Sequence, residues 1–289
     1  MHKAGFVNLF GKPNAGKSTL INALTGEKLA ITSPKVQTTR HRIIGILDHP
    51  DFQMVFSDTP GIIQPKYKLQ ERMMGAVKKA LEDADVALLV VDALQDPGPN
   101  LELLSNLGIR MPGIVALNKM DRLGPEGLEK AREQYGTLPF VSKVIAVSAL
   151  KKQNLPELIA AILEYLPESE KFYPEGEITD RPVRFFVGEL IREEIFMLYQ
   201  EEIPYHTTVQ VTSFEEKTTL TKIRAEVIVQ RETQKAIILG EKGHAIRELG
   251  TRSRIKIESF LGRKVFLELF VKVRTDWSNN ELFLREYGY

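Results

Sequence analysis

Gly11-Lys12-Pro13-Asn14-Ala15-Gly16-Lys17-Ser18 carries the spacing G-x4-G-K-[ST]. Glycine lets the backbone curl tightly, so that several amide N–H groups aim at one anion. An apolar run (Phe6, Val7, Leu9, Phe10) precedes the motif and a helix-like run (Thr19 to Leu24) follows it. The N-terminus of that helix would face the same anion. The chemistry is the cradling of a nucleoside triphosphate. Lys17 reaches the β- and γ-phosphates, Ser18 ligates Mg²⁺, and the stretch Gly11, Pro13, Asn14, Ala15, Gly16 to Thr19 follows the phosphate chain.

Asn118-Lys119-Met120-Asp121 selects the base. The tetrapeptide follows the apolar run Gly113 to Leu117, so it sits at a strand's carboxyl end, where open α/β sheets bind ligands. The Asp121 carboxylate can accept from two N–H groups on one edge of guanine. Adenine lacks that pair, and an unpaired buried charge rejects it. Asn118 would tie this loop to the phosphate loop, and the stem of Lys119 would cover one face of the base. Ser148-Ala149, after the last apolar run, would offer backbone to the guanine oxygen.

Asp58-Thr59-Pro60-Gly61 ends the run Met54-Val55-Phe56. Asp58 would hold Mg²⁺, directly or through water, and the Gly61 amide would meet the γ-phosphate. Thr38 and Thr39 lie in a polar stretch without hydrophobic period, the kind of loop that a γ-phosphate and Mg²⁺ order and hydrolysis releases. Thr39 is the favoured Mg²⁺ ligand and Thr38 the alternative. Lys17, Thr39 and Gly61 are the expected catalytic positions.

These turns need a scaffold. Strands are expected over 5–10, 42–48, 52–57, 85–91, 113–117 and 143–147. Helices are expected over 17–25, 68–82, 99–108, 125–135 and 154–165. Alternation of this kind predicts an α/β domain with a mainly parallel sheet covered on both faces, spanning 1–167. Residues 168–182 hold three of the prolines and glycines that mark turns but no apolar period, and read as a linker. From 183 to 289 the pattern changes. Val187, Leu190, Ile191, Ile195 and Leu198 form a helical stripe with Arg192, Glu193 and Glu194 outside it. Strands 207–214 and 219–230 follow, then helices 233–239 and 244–261, then an alternating strand at Val265 to Val273. The second domain is therefore a smaller α+β unit.

The 289 residues leave room for two cores, and 27% charged with 43% hydrophobic residues is ordinary for a globular chain. The absence of cysteine excludes disulfides, thiolate metal sites and thiol catalysis, and suits a reducing cytosol. No apolar run approaches the length of a bilayer span. Met1-His2-Lys3 leads directly into the first strand, so no signal peptide is expected. The net charge of +1 hides an asymmetry: Lys217 to Arg274 holds fourteen Lys or Arg against six Glu and no Asp. Such a region attracts polyanions.

Gly240-Glu241-Lys242-Gly243 joins two helices inside that basic region. A GxxG turn lets a nucleic-acid backbone approach closely, and the following helix N-terminus can bind phosphate. With the preceding hairpin and the final strand, the arrangement resembles a type II KH domain, which holds about four single-stranded nucleotides beside the loop. Glu241 is a misfit there, since it repels phosphate. Lys222, Arg224, Lys242, Arg247, Arg252 and Arg254 are the expected basic contacts.

Together the two halves resemble the Era family of bacterial ribosome-assembly GTPases. The resemblance covers essentially the whole chain. It rests on the phosphate loop, Gln37-Thr38-Thr39-Arg40, Asp58 to Gly61, Asn118 to Asp121, Gly240 to Gly243, and the ending Leu267 to Arg274 with Trp277. It implies GTP hydrolysis with GTP/GDP and Mg²⁺, binding to the 3′ end of 16S ribosomal RNA, assistance to 30S subunit assembly, and no DNA partner. It also implies a cytoplasmic protein with loose peripheral association to the inner membrane. The alternative is a GTPase of another RNA-processing or membrane-linked cell-cycle step, whose KH domain binds a different RNA. Many small GTPases orient water with a glutamine after the Asp-x-x-Gly motif, where this chain has Ile62. Backbone of the 33–40 loop and a K⁺ ion are expected to take over that work, with Asn14 as the K⁺ ligand by resemblance to K⁺-dependent GTPases.

Overall fold

The computed structural model describes residues 2–289; Met1 lies outside the described residues. The chain divides into two compact units, one running through 65 with 72–180, the other holding 66–71 with 181–289.

The first unit is built on β1 (Lys3–Phe10), β2 (Ile43–Asp48), β3 (Phe52–Asp58), β4 (Val86–Asp92), β5 (Gly113–Asn118) and β6 (Val141–Ala146). The sheet order is β2-β3-β1-β4-β5-β6. Only the β2–β3 pair is antiparallel. Helices α1 (Lys17–Thr25), α2 (Lys68–Glu82), α3 (Gly98–Ser105), α4 (Pro125–Gly136) and α5 (Leu155–Tyr165) make the crossovers. Every residue of β4 is buried, which is why its sequence is apolar without alternation. Phe10, Leu89, Val91, Val115 and Leu117 pack with Val77, Leu104 and Tyr135 on one side of the sheet.

The segment expected as a linker is held against the edge of the sheet by Gln53 of β3 and by the backbone of β2. The Gln53 amide oxygen accepts from the Phe172 and Tyr173 amides at 2.8 and 3.0 Å, and its nitrogen donates to the Tyr173 carbonyl at 2.9 Å. Ile46 N donates to the Ile178 carbonyl at 3.0 Å and Thr179 Oγ1 to that of Ile44 at 2.7 Å. Edge groups that would template a foreign strand are thereby occupied.

The second unit comprises α6 (Val183–Leu198), β7 (Thr208–Glu216), β8 (Thr221–Val229), α7 (Glu232–Leu239), α8 (His244–Leu261), β9 (Val265–Val273) and the short α9 (Glu281–Glu286), which the sequence reading did not anticipate. β8 pairs antiparallel with β7 and parallel with β9. Ile223, Ala225 and Val227 of β8 meet Val187, Ile191 and Ile195 of α6, Ile238 of α7, and Leu249 and Ile257 of α8. Glu189, Arg192, Glu193 and Glu194 of α6 are buried as well, although the sequence puts the last three outside the apolar stripe. They survive burial because they are paired. Arg192 forks onto Glu189 at 2.8 and 2.5 Å, Lys256 reaches Glu193 at 2.8 Å, and Arg252 reaches Glu194 at 2.7 Å.

Candidate functional site

The turns after β1, β3, β4, β5 and β6 leave the sheet at its carboxyl edge, and the predicted nucleotide residues sit on or beside them. Two glycines make the approach possible. Gly11 has φ 150°, and a Cβ there would lie 2.2 Å from the Val90 carbonyl oxygen. Gly16 has φ 100°, and a Cβ there would lie 2.1 Å from Asn118 Nδ2. Any side chain at 16 would expel the asparagine that joins the phosphate loop to the β5 turn. Helix α1 starts at Lys17 with neither a side-chain cap nor an acidic residue in its first turn. Its first N–H groups and its positive dipole end are left for an anion.

Lys17 is buried, and its ammonium donates to the Gly11 and Lys12 carbonyls at 3.0 Å each. Burial lowers its pKa to about 8, against the opposing pull of the Asp58 carboxylate. Burial conversely raises Asp58, opposed by Lys17 and by hydrogen bonds from Ser18 and Thr39. Asp58 Oδ2 accepts from Ser18 Oγ at 2.6 Å and Thr39 Oγ1 at 3.2 Å, and the two hydroxyls lie 2.8 Å apart. Asp58 Oδ1 is buried without a hydrogen-bond partner. A carboxylate and two hydroxyls converging in this way are hard oxygen donors of the kind Mg²⁺ takes, and the orphaned oxygen is a second acceptor beside them. Thr38, the alternative ligand, instead donates to the Lys35 carbonyl at 2.9 Å.

Pro13 to Thr19, the 31–39 loop, Gly61 and Lys119 line one cleft. Gly61 approaches so closely that a Cβ would lie 2.7 Å from Pro13 N. Asn14 (φ 62°) donates from Nδ2 to the Pro34 carbonyl at 2.9 Å, joining the phosphate loop to the 31–39 loop. Ile62 is partly buried against the core cluster that holds Phe10 and Val77, and its amide donates to the Gly11 carbonyl at 3.1 Å.

The base end is a frame of hydrogen bonds. Asn118 Nδ2 donates to the Ala15 carbonyl at 2.9 Å, and Asn118 Oδ1 accepts from Ala149 N at 3.0 Å. One buried amide thus holds three loops. Lys119 donates to the Asn14 carbonyl at 3.1 Å. Asp121 lies exposed in the turn after β5, and Ser148 is fixed by mutual backbone bonds with Gln153 at 3.2 and 3.0 Å. Sequence reasoning missed Asn22. Its Oδ1 accepts from Leu29 N and Ala30 N at 2.9 and 2.8 Å and its Nδ2 donates to the Ala30 carbonyl at 2.7 Å, anchoring the segment that follows α1 to that helix. An asparagine between apolar helix residues was the available signal.

In the second unit the Gly240–Gly243 turn joins α7 to α8. Gly240 has φ 67°, and a Cβ there would lie 2.6 Å from Ala245 Cβ. Gly243 and Lys242 also lie at positive φ, and Gly243 precedes α8 as its N-cap, giving no side-chain cap. Arg247 folds back onto the loop, donating to the Gly243 carbonyl at 3.0 Å and to that of Lys242. Other expected contacts do not assemble here. Lys222 and Arg224 alternate with buried Ile223 and Ala225, so they stand on the sheet face opposite the helices that carry the loop. Arg224 pairs with Glu268 at 2.7 Å, Arg252 with Glu194 at 2.7 Å, and Arg254 with Glu258 at 3.2 Å. Much of the local positive excess is therefore already neutralised.

A phosphate loop, an oxygen cluster and an Asn-Lys-x-Asp frame on a parallel sheet, with a GxxG unit in the same chain, define a P-loop GTPase carrying a KH domain. Comparison with known proteins agrees. Residues 6–119 match the family described as 50S ribosome-binding GTPase, and residues 202–278 match the KH domain. The chain is 42% identical over 294 residues to a chloroplastic ERA-like GTPase of Oryza sativa subsp. japonica, covering 100% of this chain and 70% of that protein. It is similar, at 41% identity and TM-score 0.95, to Era crystallised with MgGDPNP and nucleotides 1506–1542 of 16S ribosomal RNA, covering 100% of this chain and 99% of that one. A variant of Aquifex aeolicus Era bound to GDP and AlF4⁻ gives 41% identity and TM-score 0.95 over 99% of each chain. The chain belongs to the Era family of GTPases.

Proposed function

We propose that this chain is a GTP-hydrolysing switch that binds the 3′ region of 16S ribosomal RNA and assists maturation of the small ribosomal subunit. The observation that carries the reading is the convergence of Ser18, Thr39 and Asp58 beside the Lys17 ammonium, at a cleft that Lys17, Ser18, Thr39, Gly61 and Lys119 line together. Ser18, Thr39 and Asp58 hold Mg²⁺, which when bound neutralises charge on the phosphate chain. Lys17 and the α1 amides bind the phosphates, Gly61 brings its amide to the γ-phosphate, and Asp121 accepts from the guanine edge, with Ser148 and Ala149 offering backbone. An Era homologue crystallised with a 16S ribosomal RNA segment supports the RNA partner, and the Gly240–Gly243 loop with Lys242 and Arg247 is its docking point here.

Ile62, packed against the core, does not orient water, so the 33–40 backbone does. Asn14 takes part in a K⁺ site between the phosphate loop and the Pro34 segment that it already touches. Single-turnover hydrolysis should then run faster in KCl than in NaCl, and Asn14→Ala should erase the difference; equal wild-type rates remove the cation. The working place is the cytoplasm, with peripheral contact to the inner membrane face; among the described residues no helix is long and apolar enough to cross a membrane.

Calorimetry of the Mg²⁺-replete protein with GTP, GDP and ATP tests the nucleotide reading. Guanine nucleotides should bind and ATP should not. Asp121→Asn should weaken GTP by roughly 10²-fold or more and admit xanthosine triphosphate, whose edge has an acceptor where guanine has a donor. An unaltered preference in that variant overturns the base assignment.

A further inference from the structure

We propose that Asp92 is a positioning residue for guanine recognition: it anchors the Lys119 ammonium, so that the lysine stem stands as a fixed wall of the base subsite. The inference deepens the guanine reading above and rests on it. Asp92 ends β4, in register with Asn118 on β5, and Ala93 N donates to the Asn118 carbonyl at 2.9 Å. It is thus the neighbour, across the sheet, of the residue that frames the base pocket. Its side chain is 8% exposed, too buried for a carboxylate without partners.

Both carboxylate oxygens are committed. Oδ1 accepts from Leu94 N at 3.0 Å, which fixes the turn leaving β4. Oδ2 accepts from Lys119 Nζ at 2.6 Å, a charge-assisted contact in a half-buried setting. The same ammonium donates to the Asn14 carbonyl at 3.1 Å. Lys119 thus spans from the β4 turn to the phosphate loop, and it lines one end of the cleft that the phosphate loop shares with the 31–39 segment.

A lysine stem has four rotatable bonds and no shape of its own. It covers a planar base reproducibly only when its far end is held. The Asn14 carbonyl is one neutral acceptor on a loop. Asp92 supplies the second acceptor, with charge, from the end of a fully buried strand. Lys119 also has φ 67°, a left-handed backbone that a lysine adopts only where its surroundings impose it.

The test measures GDP and GTP-analogue affinity of the whole protein for four forms: wild type, Asp92→Asn, Lys119→Ala and the double variant. Asparagine keeps the size of Asp92 and the acceptor for Leu94 N, so the turn persists while the charge is lost. Asp92→Asn should weaken GDP and the GTP analogue alike by about tenfold, because the contact serves the base and not the γ-phosphate. In the Lys119→Ala background the same change should have no further effect. A wild-type affinity in Asp92→Asn overturns the proposal. So does a loss that multiplies fully with that of Lys119→Ala, since Asp92 would then act through the fold. Wild-type protein that binds no GDP removes the guanine reading itself, an outcome distinct from either.

Discussion

At Gly16 a single hydrogen atom decides whether the nucleotide pocket exists. The position needs φ 100° and has Asn118 Nδ2 where a Cβ would go. Gly16→Ala therefore adds two penalties. The backbone strain is roughly 1–2 kcal/mol, and expelling Asn118 leaves its buried amide and the Ala15 carbonyl unpaired at about 1–3 kcal/mol. The phosphate loop and the β5 turn should come apart, and GDP affinity should fall by about 10² or more in titration calorimetry. Gly26→Ala serves as the control. It has φ 79° but nothing within 4 Å of its Cβ, so it should lose stability modestly and keep its affinity. Equal losses in the two variants would show that strain alone, and not the Asn118 contact, is at work. Gly16 was legible as part of a spacing. The tie from Asn118 to the phosphate loop is legible as well, but that the Asn118 amide fills the place of a Cβ at Gly16 is set by the fold alone.

Among the elements, α6 departs furthest from its sequence. Its apolar stripe was plain, but Arg192, Glu193 and Glu194 ended up buried beside it. Periodicity counts hydrophobic residues and is blind to charges that take partners from another element, here Lys256 and Arg252 on α8. The parallel strands were legible for the opposite reason: buried on both faces, they carry uninterrupted apolar runs such as Val86 to Val91. The short α9 left no signal, since six residues give less than two turns of period. The α6 charges make a quantitative prediction. Glu189→Ala strands Arg192, whose side chain is 1% exposed, as an unpaired buried cation, and should cost about 3–5 kcal/mol. Trp277 is the chain's single tryptophan and is fully buried in the second unit, so its fluorescence reports that unit's unfolding. The urea midpoint it records should drop sharply in Glu189→Ala and hardly at all in Glu189→Gln with Arg192→Met, which removes both charges together.

For the whole molecule, the basic excess counted from the sequence overstates the charge available to RNA. Fourteen Lys or Arg between Lys217 and Arg274 suggest a broad polyanion surface. Pairing cannot be read from a count. Arg224, Arg252, Arg254, Lys256 and Lys272 each face a carboxylate within hydrogen-bonding distance, and Lys222 and Arg224 stand on the far face of the sheet. Beside the Gly240–Gly243 loop stand Lys242 and Arg247, the latter donating to the Gly243 and Lys242 backbone carbonyls. A single strand releases about 0.7 counterion for each phosphate neutralised, so these two contacts give a slope of about −1.4 for log affinity against log salt concentration. Participation of all fourteen cations would push the slope toward about −10. Binding of a single-stranded RNA from the 16S 3′ region, measured by fluorescence anisotropy across a salt series, separates the two. A shallow slope means that affinity comes from the close backbone approach at Gly240 and Gly243 and from the uncapped α8 amides. Gly240→Ala, whose Cβ would strike Ala245, should then lower affinity at every salt concentration without changing the slope, whereas Lys242→Ala should flatten it by about 0.7.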